Sequence, residues 1–284
     1  MKIALMDSGI GLLAATAAVR RLRPDADLVL SLDPDGMPWG PRTPQDLTAR
    51  ALTVAEAAAA HRPDALIVGC NTATVHALTA LRARLEPDLP VVGTVPAIKP
   101  AAAGGGPLAI WATPATTGSP YQRNLIQDFA VGVDVTEVPC WGLAEAVERA
   151  DESAIAAAVD AAAGLTPDDV TTVVLGCTHY ELVTERIRAA VQRPGRPPLV
   201  LHGSAGAVAA QAMRRLGEQP APEAPARRTR SAHGRRGPRA PRPRPPARGP
   251  RGAAPSPPPS RPAPTTDPGA TARPGGPAEA TPTT

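Results

Sequence analysis

Residues 65–74 read "ALIVGCNTAT", and residues 173–182 read "VVLGCTHYEL". Each is a short apolar run, then Gly, then Cys, with Thr close behind. The chain has only three cysteines, and two of them, Cys70 and Cys177, stand in these matching settings. The apolar runs are brief and rich in Val, Ile and Leu, as expected of strands covered on both faces. Similar runs recur at 3–6, 28–32, 91–92, 108–111, 133–138 and 199–201. Between them lie Ala/Leu/Arg/Glu segments with helical spacing, at 44–61, 73–85, 142–162 and 181–191. Strand-helix alternation predicts an α/β protein with mostly parallel sheets and helices on both sides. The clearest interior break is "KPAAAGGGP", 99–107, either a crossing between domains or a plain loop. One Gly-Cys pair falls on each side of it. The expectation is two similar lobes, each contributing one cysteine.

Composition divides the chain differently. Residues 218–284 hold nineteen of the 37 Pro, and twelve Arg against four acids. That stretch is therefore near +8, which leaves 1–217 near −4 within the net +4. Having few large apolar residues, 218–284 is expected to be disordered, and the high isoelectric point belongs to it. Arg-rich text can bind phosphates, but this stretch lacks aromatics for stacking, so we read it as a solvated extension, not a nucleic-acid arm. No apolar run reaches the ~20 residues of a membrane span. The first apolar run is cut short by Asp7, unlike a secretory signal. Three scattered cysteines predict reduced thiols and a cytoplasmic protein. No CxxC or HxxxH spacing calls for a metal.

Both Gly-Cys pairs fall where a strand should end and a helix begin, the edge at which open α/β sheets collect ligands. Unpaired N–H groups there favour a thiolate and a bound carboxylate. Cys70 and Cys177 are therefore candidate reactive thiols, with Asn71, Thr72 and Thr178 as candidate ligand donors. A single cysteine after an apolar run is more often a small core residue; two in matching positions reverse that preference. Cys140, in "VPCWGL", lacks this context and is read as structural. In "MDSGIG", 6–11, Asp7 ends the first predicted strand, although Asp-Ser-Gly alone would pass for a turn. "MPWGPRT", 37–43, is a Pro/Gly turn with an aromatic. His179 stands two positions from Cys177 and can orient or protonate it.

Together these residues resemble the glutamate racemases of the cofactor-independent aspartate/glutamate racemase superfamily, over nearly all of 1–217. The resemblance rests on "DSGIG", "LDPDGMPWG", "GCNTAT", "LGCTHY", "VVGTVPAIKPA" at 91–101 and "ATPATTGSPY" at 112–121. It implies two lobes facing a central cleft, 1–95 completed by a helix at 205–217, and 96–204. It implies that one thiol removes the α-proton of glutamate while the opposite thiol delivers one to the other face, with no pyridoxal phosphate or metal. It implies Cys70 and Cys177 as the acid/base pair, Asp7 acting near Cys70, and His179 near Cys177 with Glu148 assisting. Glu145, on the same predicted helix face, is the rival to Glu148. Asp7, Ser8, Trp39, Gly40, Asn71, Thr72, Thr178 and His179 would hold the substrate. D-glutamate for peptidoglycan is the product so implied, and a homodimer is one assembly found in the family. The neighbouring alternatives are a racemase for aspartate or another acid, a related decarboxylase, and an inactive relative. Four positions depart from the family's pattern: Leu12 replaces a Gly, Trp39 a Tyr, Glu181 a frequent Pro and Gly203 a frequent Asp. The family also continues past the last helix with a short ordered segment where this chain turns to Arg/Pro text.

Overall fold

Eight predicted strands are present, and they form two sheets with one topology. The structure, a computed structural model, describes residues 1–227 and 229–233. The first sheet contains β1 (Lys2–Asp7), β2 (Asp27–Leu32), β3 (Ala65–Val68) and β4 (Val91–Gly93), in the order β4-β3-β1-β2. The second contains β5 (Leu108–Ala112), β6 (Val135–Pro139), β7 (Thr172–Leu175) and β8 (Val200–His202), in the order β6-β5-β7-β8. Read from the other edge, the second order repeats the first. Every strand pair is parallel.

Each sheet is buried on both faces, which is why its strands read as continuous apolar runs. In β1, Ala4 and Met6 pack with Leu47 and Ala51 of α2 (Pro44–Ala59) and Ala77 and Leu81 of α3 (Asn71–Leu85). Ile3 and Leu5 face the other way, onto α1 (Leu12–Leu22) and α9 (Ala205–Leu216). In the second sheet, Trp111, Val173 and Leu175 pack against α6 (Leu143–Glu148), α7 (Glu152–Gly164) and α8 (Thr184–Val191). Leu108, Ile110 and Val174 pack against α4 (Ile98–Ala103) and α5 (Pro120–Phe129). The helix expected at the end of the first lobe is α9, which follows β8 of the second sheet yet packs on α1 of the first.

Several expectations need correction. The chain passes from one sheet to the other before the Gly-rich break: within 99–107, Lys99–Ala103 already belongs to α4 on the second sheet, and 104–107 is a plain loop leading to β5. The helix expected over 142–162 is two. Ala150 has φ 50, and Asp151 caps a new helix by accepting from the Ala154 N–H at 3.0 Å. The segment 181–191 begins as a 3-10 turn, Thr178–Val183, before α8. Disorder was expected from 218, but the Ala221 N–H donates to the Leu22 carbonyl at 2.8 Å and the Arg227 N–H to Pro24 at 2.9 Å. Residues Thr229–His233 then pair in parallel with β2 as β9. Composition averaged over the whole stretch hid this local anchoring. The remainder, 228 and 234–284, lies outside the described residues.

Candidate active site

The switch in strand order, where ligands gather in such sheets, falls between β1 and β3 in one lobe and between β5 and β7 in the other. Beyond those strand ends stand the two Gly-Cys pairs. The Gly69 N–H donates to the Met6 carbonyl at 2.7 Å, and the Gly176 N–H to the Trp111 carbonyl at 2.7 Å. Cys70 precedes α3 with φ −137°, ψ 121°, and Cys177 precedes its 3-10 turn with φ −137°, ψ 136°. Two cysteines thus occupy equivalent sites on equivalent scaffolds. A Cβ on Gly176 would lie 2.8 Å from the Trp111 carbonyl oxygen, so glycine is needed there for the close approach.

The equivalence sorts the remaining residues. The residue after Met6, the last of β1 to pair with β3, is Asp7, and its counterpart after Trp111 is Ala112. Two positions beyond Cys177 is His179, and two beyond Cys70 is Thr72. Each wall therefore has one titratable partner, supplied from a different place.

A cleft of about 300 Å³ brings both walls together. Ser8, Trp39, Gly40, Cys70, Asn71, Thr72, Cys177, Thr178 and His179, all singled out in the sequence analysis, line it. Asp7 and Glu148 are not among its lining residues but stand behind the walls. Asp7 is fully buried; its Oδ1 accepts from the Ser8 N–H at 2.6 Å, and its Oδ2 from the Thr178 hydroxyl at 3.2 Å. Glu148 Oε2 accepts from the Ile10 N–H at 2.8 Å and lies 3.0 Å from His179 Nε2. His179 Nδ1 is 3.9 Å from Cys177 Sγ. Between the rivals, Glu148 therefore holds the histidine while Glu145 lines the cleft. Cys140 is buried as expected, yet it too lines the cleft, a placement its sequence context did not signal.

The loop 7–11 is fitted tightly to the opposite lobe. A Cβ on Gly11 would lie 2.5 Å from Thr178 Oγ1 and 2.6 Å from both Asp7 Oδ2 and His179 Nδ1. One on Gly9 would overlap the Glu148 carboxylate. Asn71 Nδ2 crosses between lobes to the Gly176 carbonyl at 2.7 Å, which leaves its buried Oδ1 without a protein donor. Leu12, one of the departures, is fully buried where α1 begins, packed against Gly69. Trp39 gives its indole N–H to Asp33 Oδ2 at 2.9 Å, and Arg50 holds the same oxygen at 3.1 Å.

Electrostatics differ between the walls. Burial raises Asp7 to about 6, against the opposing pull of His179 and the Ser8 donors. Burial and then the Asp7 charge push the Cys70 thiol well above its ordinary value; the Ala73 N–H at the helix start opposes this and loses. The lowered thiol pKa expected of a helix N-terminus is thus overturned at Cys70. His179 moves the other way. Burial would lower it, but its bonds to Cys177 and Glu148 and the nearby negative charges raise it to about 11. Glu148 is lowered, because its bond to His179, the Ile10 N–H and the histidine's charge outweigh burial.

Sequence reasoning missed Thr113, Pro114, Trp141 and Gly142 on the cleft wall. Thr113 follows β5 as Ser8 follows β1, so the strand-end rule would have found it. Among the described residues, no cluster of three or more His, Cys, Asp or Glu is arranged to hold a metal ion. No helix among them is long and apolar enough to cross a membrane.

Residues 12–212 match the family model described as Asp/Glu/Hydantoin racemase. A glutamate racemase of Roseiflexus sp. is 38% identical over 192 residues, covering 66% of this chain and 70% of that protein. One from Granulibacter bethesdensis is 40% identical over 200 residues, 68% of this chain and 71% of that protein. Among solved structures, Escherichia coli glutamate racemase in complex with L-glutamate and the activator UDP-MurNAc-ala superposes with a TM-score of 0.70 at 29% identity, covering 78% and 84% of the two chains. With two matched lobes, a thiol on each wall of the cleft and relatives of this kind, the chain belongs to the Asp/Glu/Hydantoin racemase family of isomerases.

Proposed function

We propose that this chain racemises glutamate by a two-thiol mechanism, with Cys70 and Cys177 serving opposite faces of Cα. The observation that carries the proposal is the placement of two cysteines at topologically equivalent strand ends on opposite walls of one cleft. An inversion at one carbon needs an acid/base group on each face. From the L-isomer, Cys177 as thiolate takes the α-proton. The C–H electron pair passes into the α-carboxylate, and the Cys70 thiol returns a proton to the other face. From the D-isomer the roles reverse. No electrons leave the substrate, and one proton is exchanged for another.

The supporting residues fit these roles. His179 beside Cys177, steadied by Glu148, is placed to exchange a proton with it. At Cys70, Asp7, raised to about 6, is the base able to take its proton. The N–H groups opening α3 and the Thr72 hydroxyl suit a carboxylate, while the Ser8 and Thr178 hydroxyls, which donate to Asp7, offer lone pairs to the α-ammonium. Asn71 Oδ1, buried without a protein donor, suits the α-ammonium. Trp39 and Gly40 bound the side-chain end. D-glutamate made in the cytoplasm for peptidoglycan is the role this activity would serve.

The test is deuterium entry at Cα in D₂O, with L-glutamate and, separately, L-aspartate, together with appearance of the D-isomer. Glutamate should exchange and invert, and Cys70→Ser or Cys177→Ser should abolish inversion. Folded protein that exchanges neither acid sinks the proposal, and inversion of aspartate alone reassigns the substrate.

A further inference from the structure

Two of the departures from the family's pattern, Glu181 and Gly203, meet in space. Glu181 lies in the 3-10 turn that begins directly after Cys177 and contains His179. Its Oε1 accepts from the Ser204 N–H at 2.7 Å, the Ser204 hydroxyl at 2.9 Å and the Ala205 N–H at 3.2 Å. These are donors at the start of α9, whose N-cap Ser204 makes no side-chain cap of its own. A carboxylate there satisfies orphan N–H groups and meets the positive end of the helix. A Cβ on Gly203 would overlap this carboxylate, and Gly203 does not have a left-handed φ. Glycine at 203 therefore serves to leave room, not to relieve the backbone.

We propose that Glu181 is a positioning residue, which sets the Cys177–His179 turn against the wall carrying Cys70 by gripping the start of α9. The inference rests on reading Cys177 as an acid/base group. The connection forms a closed circuit. From Glu181 it runs into α9, whose Val208, Ala209 and Ala212 pack on Leu12 and Ala15 of α1. Helix α1 follows directly on Gly11 and the loop that carries Ile10, whose N–H meets Glu148, and Glu148 in turn meets His179. The turn also lies against the start of α1, and the grip on α9 fixes it to the opposite lobe at a second point away from the cleft. Angstrom-scale shifts of a reacting group change rates by roughly a hundredfold.

The experiment compares Glu181→Ala, Glu181→Gln, Gly203→Asp and the double variant Glu181→Ala/Gly203→Asp. Three readouts are taken: kcat and KM for glutamate, thermal stability, and the iodoacetamide alkylation rates of Cys177 and Cys70 from one digest by mass spectrometry. Glu181→Ala should lower kcat by roughly ten- to a hundredfold with KM within about threefold. It should change the alkylation rate of Cys177 and not that of Cys70. Glu181→Gln, which keeps the acceptor oxygen, should fall between it and the parent. Gly203→Asp alone should be impaired, because two carboxylates compete for one space. The double variant should recover kcat to within about threefold, since its carboxylate reaches the same N–H groups from the other side. If the double variant does not fold, the order of Gln and Ala at 181 decides. Parent-like kcat and Cys177 alkylation in Glu181→Ala would overturn the proposal. So would an equal change at both cysteines alongside lost stability, which is general loosening. A parent that does not racemise glutamate ends the functional reading instead, and the contrast between the two alkylation rates still decides the positioning role.

Discussion

Replacing Asp7 with Asn should make the protein more stable relative to the parent as pH rises, while removing most of its activity. Asp7 is fully buried, and burial raises its pKa from 3.8 to about 6. Its folded-state pKa lies above its unfolded value, so its favourable contribution is complete below about pH 4 and is lost as pH rises through about 6. A rise of that size, at about 1.4 kcal/mol per pH unit, corresponds to about 3 kcal/mol of destabilisation above pH 7. Asn cannot ionise and escapes this loss. It also forfeits charge-assisted bonds from Ser8 and Thr178; these form only when Asp7 is ionised, and the Ser8 bonds are already part of the balance that sets its pKa at about 6. The assay is urea unfolding of both proteins at pH 4 and pH 8. The stability difference, Asn variant minus parent, should grow by about 3 kcal/mol between the two, or about 6–12 °C in Tm for a chain of this size. Parent kcat/KM should rise through an apparent pKa near 6, and the variant should lose roughly 10²–10⁴-fold in kcat/KM. A pH-independent stability difference, or one that shrinks toward pH 8, would refute the claim that a buried, strained carboxylate stands behind Cys70.

Other substitutions probe the remaining contacts. Gly11→Ala forces a methyl group against Thr178, Asp7 and His179 and should cost about 1–3 kcal/mol in chemical denaturation, with activity lost in the folded fraction; an active, parent-like variant contradicts the close fit. Leu12→Ala empties a fully buried position and should cost about 2–5 kcal/mol; a loss below 1 kcal/mol means that α1 does not bury it. Glu148→Gln removes a charge that helps hold His179 protonated. His179 lies above its ordinary value and loses its proton as pH rises through about 11, so the variant should bring the alkaline limb of kcat/KM to lower pH. A limb that stays in place, or an imidazole whose NMR titration is unmoved, counts against the pairing.

The strands and the matched cysteines were legible because parallel strands buried on both faces write unbroken apolar runs, and a glycine marks where each one turns. Asn71, Thr72, Thr178 and His179 stood out for the same reason, since each lies within two residues of a Gly-Cys pair, whereas Ser8 entered only through the resemblance. The break between α6 and α7 was less visible. "RADESA" contains the Asp151 cap, but the alanines on either side keep a helical spacing that runs straight through it. That break ends α6 at Glu148, so the role of this glutamate could be weighed against Glu145 only with the fold in hand. The anchoring of 218–227 and β9 escaped because it depends on backbone partners at Leu22, Pro24 and β2, which no local composition announces. Glu181 and Gly203 each looked like an isolated irregularity; only their proximity shows that one makes room for the other.

The repeated lobe has a thermodynamic consequence. L- and D-glutamate have equal free energies in water, so the ratio of kcat to KM must be identical in the two directions, whatever the protein does. Yet the walls are not copies: a buried carboxylate backs one thiol, while a histidine–glutamate pair backs the other. This inequality cannot alter the equilibrium, nor make kcat/KM differ between the two enantiomers. It can only set how long each enantiomer occupies the cleft and how fast it turns over once there. Any excess of kcat in one direction must therefore be matched by an equal excess of KM, and the two lobes are free to differ chemically without biasing the mixture they produce.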